Sequence, residues 1–187
     1  SELGAAHPGR LEIIEADALE TDIVALTPAP RRIVANLPYN VSTPLLLGWL
    51  RRITEFDGLT LMFQKEVAER LAAGPGVKNY GRLSIITQWL CDVRHEFNVS
   101  KQAFTPPPKV ASSVVTLTPR AQPLAPADWN SLEAVTALAF GQRRKMLRSS
   151  LKSLNLDFAA LGIAPTVRAE ERSVEQFCAI ANTTTTG

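Results

Sequence analysis

Over the first two thirds of the chain, short runs rich in branched aliphatic and aromatic residues alternate with stretches whose apolar positions recur at helical spacing. Runs at 11–15, 32–35, 58–63, 92–99 and 110–117 are predicted strands. Between them, 44–53, 65–73 and 82–90 are predicted helices, the last with Leu83, Ile86 and Leu90 on one face. This alternation argues for an α/β sheet with crossover helices. The last two strands are separated only by the turn-rich stretch 100–109, so they are predicted antiparallel. Pro119, Pro123 and Pro126 then break the pattern and mark a linker. Only helices follow. Asp128 or Ser131 is placed to cap one through Ala139, a second is predicted over 143–154, and Ser173 with Gln176 reads as a capping box opening the last. The division is therefore an α/β domain at 1–119 and a small all-helical domain at 120–187. The threonine-rich end, Thr183 to Thr186, is expected to fray.

With 187 residues and 45% hydrophobic content, the chain is long enough for one well-cored domain and a smaller one. No apolar run approaches the roughly 18 to 20 residues needed to cross a bilayer, and Ser1 to Arg10 lacks the basic-then-apolar order of a signal peptide. A soluble, cytoplasmic protein without a membrane partner is expected. Cys91 and Cys178 lie far apart and outside any metal-ligand spacing, so both are expected to be reduced packing residues, with no metal site. A net charge of +2 and a pI near 8.7 are compatible with nucleic acid without marking it.

Two stretches carry candidate chemistry. Asn36-Leu37-Pro38-Tyr39 directly follows the predicted strand Ile33-Val34-Ala35, where open α/β sheets place their ligand crevice. An exocyclic base amine is a poor nucleophile while its lone pair is delocalised into the ring. The Asn36 side-chain oxygen and the Leu37 carbonyl can accept its hydrogens, Pro38 stiffens the turn, and Tyr39 offers a flat face for stacking. The same tetrapeptide also makes a sound structural turn, and on its own it leaves both readings open. The second stretch, 142–152, holds Arg143, Arg144, Lys145, Arg148 and Lys152 and no acid. On the predicted helix Arg144, Arg148 and Lys152 form a stripe beside a packing face of Leu147, Leu151 and Leu154. Uncompensated like charges at that spacing repel, which points to a polyanion such as RNA phosphate rather than to a solvated face. Lys78 and Arg82, in and beside the glycine-bearing loop 74–81, either widen that footprint or belong to a lid or a plain surface loop.

Four blocks together resemble one family. Asn36 to Pro44, Gln64-Lys65-Glu66-Val67-Ala68-Glu69-Arg70-Leu71, Phe104-Thr105-Pro106-Pro107-Pro108-Lys109-Val110 and Gln142-Arg143-Arg144-Lys145 are similar to the ribosomal RNA adenine dimethyltransferases. The erythromycin-resistance methylases of the large-subunit RNA share the Asn-x-Pro-Tyr loop, but the basic block after Phe140 is closer to the small-subunit enzymes. Ala111 departs from the acidic residue frequent in the family. The resemblance implies a Rossmann-like class I methyltransferase sheet in 1–119, with 120–187 as an RNA-binding unit. It also implies transfer of methyl groups from S-adenosylmethionine to adenine amines of small-subunit ribosomal RNA, giving dimethyladenosine during ribosome biogenesis, by a monomer without metal. By the same resemblance Asn36, Leu37, Pro38, Tyr39 and Phe104 are catalytic, with Phe104 facing Tyr39 across the base. Asp17 and Ala18, with Asn36, would contact the methyl donor, and the basic residues of 143–152 would contact RNA. Asp17 has a structural alternative as a capping aspartate, and Phe104 one as an aromatic at a strand start. Gln64-Lys65-Glu66 would touch RNA or brace the site, and His95 is expected to be a surface residue. The family's glycine-rich turn is not found near Ser1. The family's sheet order resembles 3-2-1-4-5-7-6, so the first two strands are expected to be missing from between 11–15 and 32–35, with weak donor binding as a result. A non-catalytic RNA-binding assembly factor on the same fold is the other function class.

Overall fold

The computed structural model describes residues 2–142 and 144–184. Its strands are β1 (Arg32–Asn36), β2 (Gly58–Gln64), β3 (Cys91–Val99) and β4 (Ser112–Pro119), in one sheet ordered β1-β2-β4-β3. β1 runs parallel to β2, and β4 runs antiparallel to both β2 and β3. The expected antiparallel pair is therefore present, with a bulge between His95 and Phe97.

Alternation along the strands makes the sheet one-sided. Leu59, Leu61 and Phe63 of β2 and Val115 and Leu117 of β4 are fully buried, while Thr60, Met62, Val114 and Thr116 between them are only partly covered. On the inner face lie α3 (Ser42–Leu50), α4 (Lys65–Ala72) and α5 (Arg82–Leu90). The outer face carries Val34 at 80% exposure and Phe97 at 58%. Two short helices, α1 (Glu2–Ala6) and α2 (Ile23–Leu26), precede the sheet and have no counterpart in the sequence reading. Asp22 caps α2 and ion-pairs with Arg52 at 2.7 Å.

Beyond the proline-rich stretch, α6 (Trp129–Gly141) is capped by Asp128, whose carboxylate accepts from the Ser131 amide at 2.9 Å. α8 (Val174–Thr184) opens with the reciprocal Ser173–Gln176 box. These helices share the core of the sheet. The Trp89 indole donates to the Ala125 carbonyl at 2.8 Å and its ring lies 6.1 Å from that of Trp129, while Phe140 contacts both Tyr80 and Phe177. Packing thus runs unbroken across the 119/120 boundary. Among the described residues no helix is long and apolar enough to cross a membrane.

Two expectations are corrected. Residues 11–15 form no strand: Leu11, Ile13 and Ile14 are 43 to 57% exposed, because the stretch has no hydrogen-bonded neighbour in a sheet whose β1 pairs only with β2. Nor is 143–154 one helix. The Leu147 amide donates to the Val167 carbonyl at 2.7 Å and Met146 forms a bridge to Arg168, holding Met146 extended. What remains is α7 (Leu147–Ser150), then a 3-10 turn over Lys152–Leu154 stopped by left-handed Asn155. Leu147 and Leu151 are nevertheless fully buried, so the predicted packing face survives the break. Arg143 lies outside the described residues, as do Thr185 and Thr186. Thr183 and Thr184 end α8, their hydroxyls bonded to the Ile180 and Ala181 carbonyls.

Candidate active site

The parallel register of β1 on β2 brings Asn36 to the carboxyl end of its strand. The chain then turns sharply. Leu37 drives into the core at 6% exposure, and the Val41 amide donates to the Pro38 carbonyl at 3.1 Å. Tyr39 is swung outward, 38% exposed, before α3 begins at Ser42. Its carbonyl accepts from the buried Ser42 hydroxyl at 3.1 Å, and its phenol oxygen lies 3.0 Å from Ser112 Oγ at the start of β4. The Asn36 amide is exposed and makes no hydrogen bond among the described residues, which leaves its oxygen available as an acceptor.

The opposite wall comes from the loop between β3 and β4. Phe104, Pro106 and Pro108 face Asn36, Leu37, Pro38 and Tyr39 across an open cavity of about 320 Å³. All five predicted catalytic residues therefore line one space. A half-buried aromatic on each side, with a free amide oxygen at the edge, suits a flat ring bearing an amine.

Asp17 and Ala18 stand elsewhere. The Asp17 carboxylate accepts from the Leu19 amide at 2.8 Å and its carbonyl from the Thr21 hydroxyl at 2.6 Å, so Asp17 opens a turn rather than capping a helix. Ala18 borders a separate cavity of about 160 Å³ with Asp22, Pro44, Gly48 and Arg52. No residue of 12–22 lines the cavity beside Asn36.

Lys65 and Glu66 are engaged within α4, by Glu69 and Arg70, which favours bracing over RNA contact. His95 is exposed and its Nε2 lies 3.0 Å from Asn98 Oδ1; it stays a surface residue. Arg144, Lys145, Arg148 and Lys152 are exposed and form no ion pair among the described residues, unlike Arg51, Arg52, Arg70 and Arg120. Arg144 and Lys145 border an open hollow of about 320 Å³ at the end of α6. They sit around a bend, not along a stripe. Among the described residues there is no cluster of three His, Cys, Asp or Glu side chains able to hold a metal. Sequence reasoning missed the hydroxyls behind Tyr39; Ser112 was visible only as an ordinary strand residue.

A mixed sheet layered with helices, carrying an aromatic-walled cavity at the carboxyl end of β1, defines an α/β protein of the methyltransferase type. The model of the ribosomal RNA adenine dimethylase family matches residues 4–186, and the chain belongs to that family. It is 62% identical over 184 residues to the ribosomal RNA small subunit methyltransferase A of Rhodospirillum rubrum, covering 97% of this chain and 64% of that protein. It is 64% identical to the protein of the same name from Paramagnetospirillum magneticum, covering 97% and 66%. The chain thus spans about two thirds of the length of these curated relatives. Among solved structures it superposes on a dimethyladenosine transferase from Plasmodium falciparum with a TM-score of 0.83 at 26% identity, covering 96% of this chain and 74% of that one. The likeness to the 23S rRNA methyltransferase ErmE, TM-score 0.69 at 22% identity over 98% and 75% of the two chains, is one of fold. The expected α/β class and family are borne out.

Proposed function

We propose that this chain binds the target adenine in dimethylation of small-subunit ribosomal RNA, with S-adenosylmethionine as methyl donor. One observation carries the reading: Phe104, 65 residues beyond Tyr39 in sequence, joins Asn36, Leu37 and Tyr39 around one cavity sized for a flat base. Tyr39 and Phe104 stack on the two faces of the ring. The Asn36 oxygen and the Leu37 carbonyl accept the two amine hydrogens, which draws the nitrogen lone pair out of conjugation with the ring and lets it face the methyl group that S-adenosylmethionine would supply when bound; the amine proton, made acidic by methylation, leaves to water. Catalysis on this side is positioning and polarisation, without a covalent intermediate. Arg144, Lys145, Arg148 and Lys152 neutralise RNA phosphates beside the cavity-bearing sheet. The setting is cytoplasmic ribosome biogenesis, with ribosomal RNA or a ribosomal particle as the partner of a monomer.

The test is base selectivity. A single-stranded RNA containing 2-aminopurine is quenched when that base stacks, and unlabelled RNAs carrying adenosine or purine riboside, which lacks the amine, compete for the same cavity. Two amine hydrogen bonds at about 0.5 to 1.5 kcal/mol each predict a preference for adenosine of roughly fivefold to 150-fold. Asn36→Ala should retain quenching and lose the part of that preference owed to one of the two bonds, about twofold to twelvefold. Equal competition by the two RNAs in the unsubstituted chain refutes the assignment.

A further inference from the structure

Tyr39 and Ser112 are 73 residues apart in sequence, yet their hydroxyls meet at 3.0 Å. Ser112 is 1% exposed and is the first residue of β4, in register with Gln64 on one side and Val99 on the other. Strands on both sides hold its backbone, so its hydroxyl is a fixed point. At the other end of Tyr39 the carbonyl is held by Ser42, itself 3% exposed. The ring is therefore pinned at its backbone and at its phenol oxygen by two buried serines. Ser112 also follows the wall of Phe104, Pro106 and Pro108 by four residues, so the same hydrogen bond joins the two sides of the cavity.

We infer that Ser112 is a positioning residue that fixes the plane of the Tyr39 ring, and with it the width of the gap that admits adenine. This rests on the base-cavity reading above. A phenyl ring held only at its backbone rocks about its side-chain torsions, and a rocking ring stacks less well because parallel overlap is needed for most of the contact. Because Tyr39 is partly exposed, its phenol can bond to water once Ser112 is gone, so Ser112→Ala should disturb stacking far more than folding. Threonine at 112 keeps the hydroxyl and suits a strand.

The chain has two tyrosines, Tyr39 and Tyr80, so incorporation of 3-fluorotyrosine gives a fluorine spectrum of two lines, assigned with Tyr39→Phe. In Ser112→Ala the Tyr39 line should shift and narrow while the Tyr80 line stays in place. In parallel, affinity for the 2-aminopurine RNA should fall about threefold to tenfold, the scale of one hydrogen bond. Ser112→Thr should restore it, and Tyr39→Phe combined with Ser112→Ala should lose no more than either alone. An unmoved Tyr39 line overturns the proposal, as does undiminished affinity in Ser112→Ala when the unsubstituted chain quenches normally. An unsubstituted chain that does not quench at all refutes the base-cavity reading, and the proposal falls with its premise.

Discussion

Changing Arg144, Arg148 and Lys152 together to Ala tests whether the basic bend docks RNA. None of the three has a carboxylate partner among the described residues, so each leaves a full charge available for a phosphate. A protein that neutralises a phosphate releases condensed counterions, and log K falls with log salt by roughly 0.7 to 0.9 per contact. Losing three contacts should flatten the slope by about 2 to 2.7. Between 50 and 200 mM salt, a log interval of about 0.6, the unsubstituted chain should therefore lose roughly 15- to 40-fold more affinity than the triple variant. The assay is fluorescence anisotropy with a labelled small-subunit RNA hairpin over that salt range. Arg52→Ala is the control, because its guanidinium is already held by Asp22 at 2.7 Å and should leave the slope nearly unchanged. Since the break after Lys145 separates Arg144 from the turns bearing Arg148 and Lys152, helical like-charge repulsion no longer enters, and thermal stability should hardly move. Superimposable salt curves for the triple variant and the unsubstituted chain would remove the bend from the RNA interface.

Trp89→Phe loses the indole bond to Ala125 and part of the contact with Trp129, and should cost about 1 to 2 kcal/mol in urea unfolding. Because sheet and helices share one core, circular dichroism and fluorescence should report a single coincident transition; two separated ones would contradict it. Burial pushes the Cys91 and Cys178 thiols up to about 12, so neither should react with a disulfide reagent at pH 8 until the chain is unfolded. Their folded values lie above the unfolded one near 9, so the stability they contribute is present below pH 9 and is lost as pH rises from 9 toward 12, readable as a falling melting temperature. The Ser131 amide bond holds the Asp128 carboxyl below its ordinary 3.8, so this cap stabilises α6 above that value and fails as pH falls through the lower folded one. Asp128→Ala should lower the melting temperature at pH 7 and blunt its acid dependence; an unchanged melt would contradict the cap.

Local signals were the readable ones. The Asp128 cap, the Ser173–Gln176 box and the strand at 58–63 each depend on neighbours within a few residues, and each appears in the structure where the sequence places it. The cavity was legible because Asn36 to Tyr39 and Phe104 to Pro108 are contiguous motifs. Failures came where a distant partner decides the backbone. The apolar run Leu11 to Glu15 has strand character but no neighbouring strand, and 143–154 has helical periodicity but is opened by Val167 and Arg168 from a later turn. Ser112 was hidden for the same reason, since its partner lies 73 residues back.

The outer side of β1 bears on how the chain behaves at concentration. Among the described residues β1 pairs only with β2, and Val34 at its centre is 80% exposed. An edge strand carrying exposed branched aliphatic side chains is a template for intermolecular strand addition. A charged residue at 34 is the natural gatekeeper to install when this chain is prepared at high concentration.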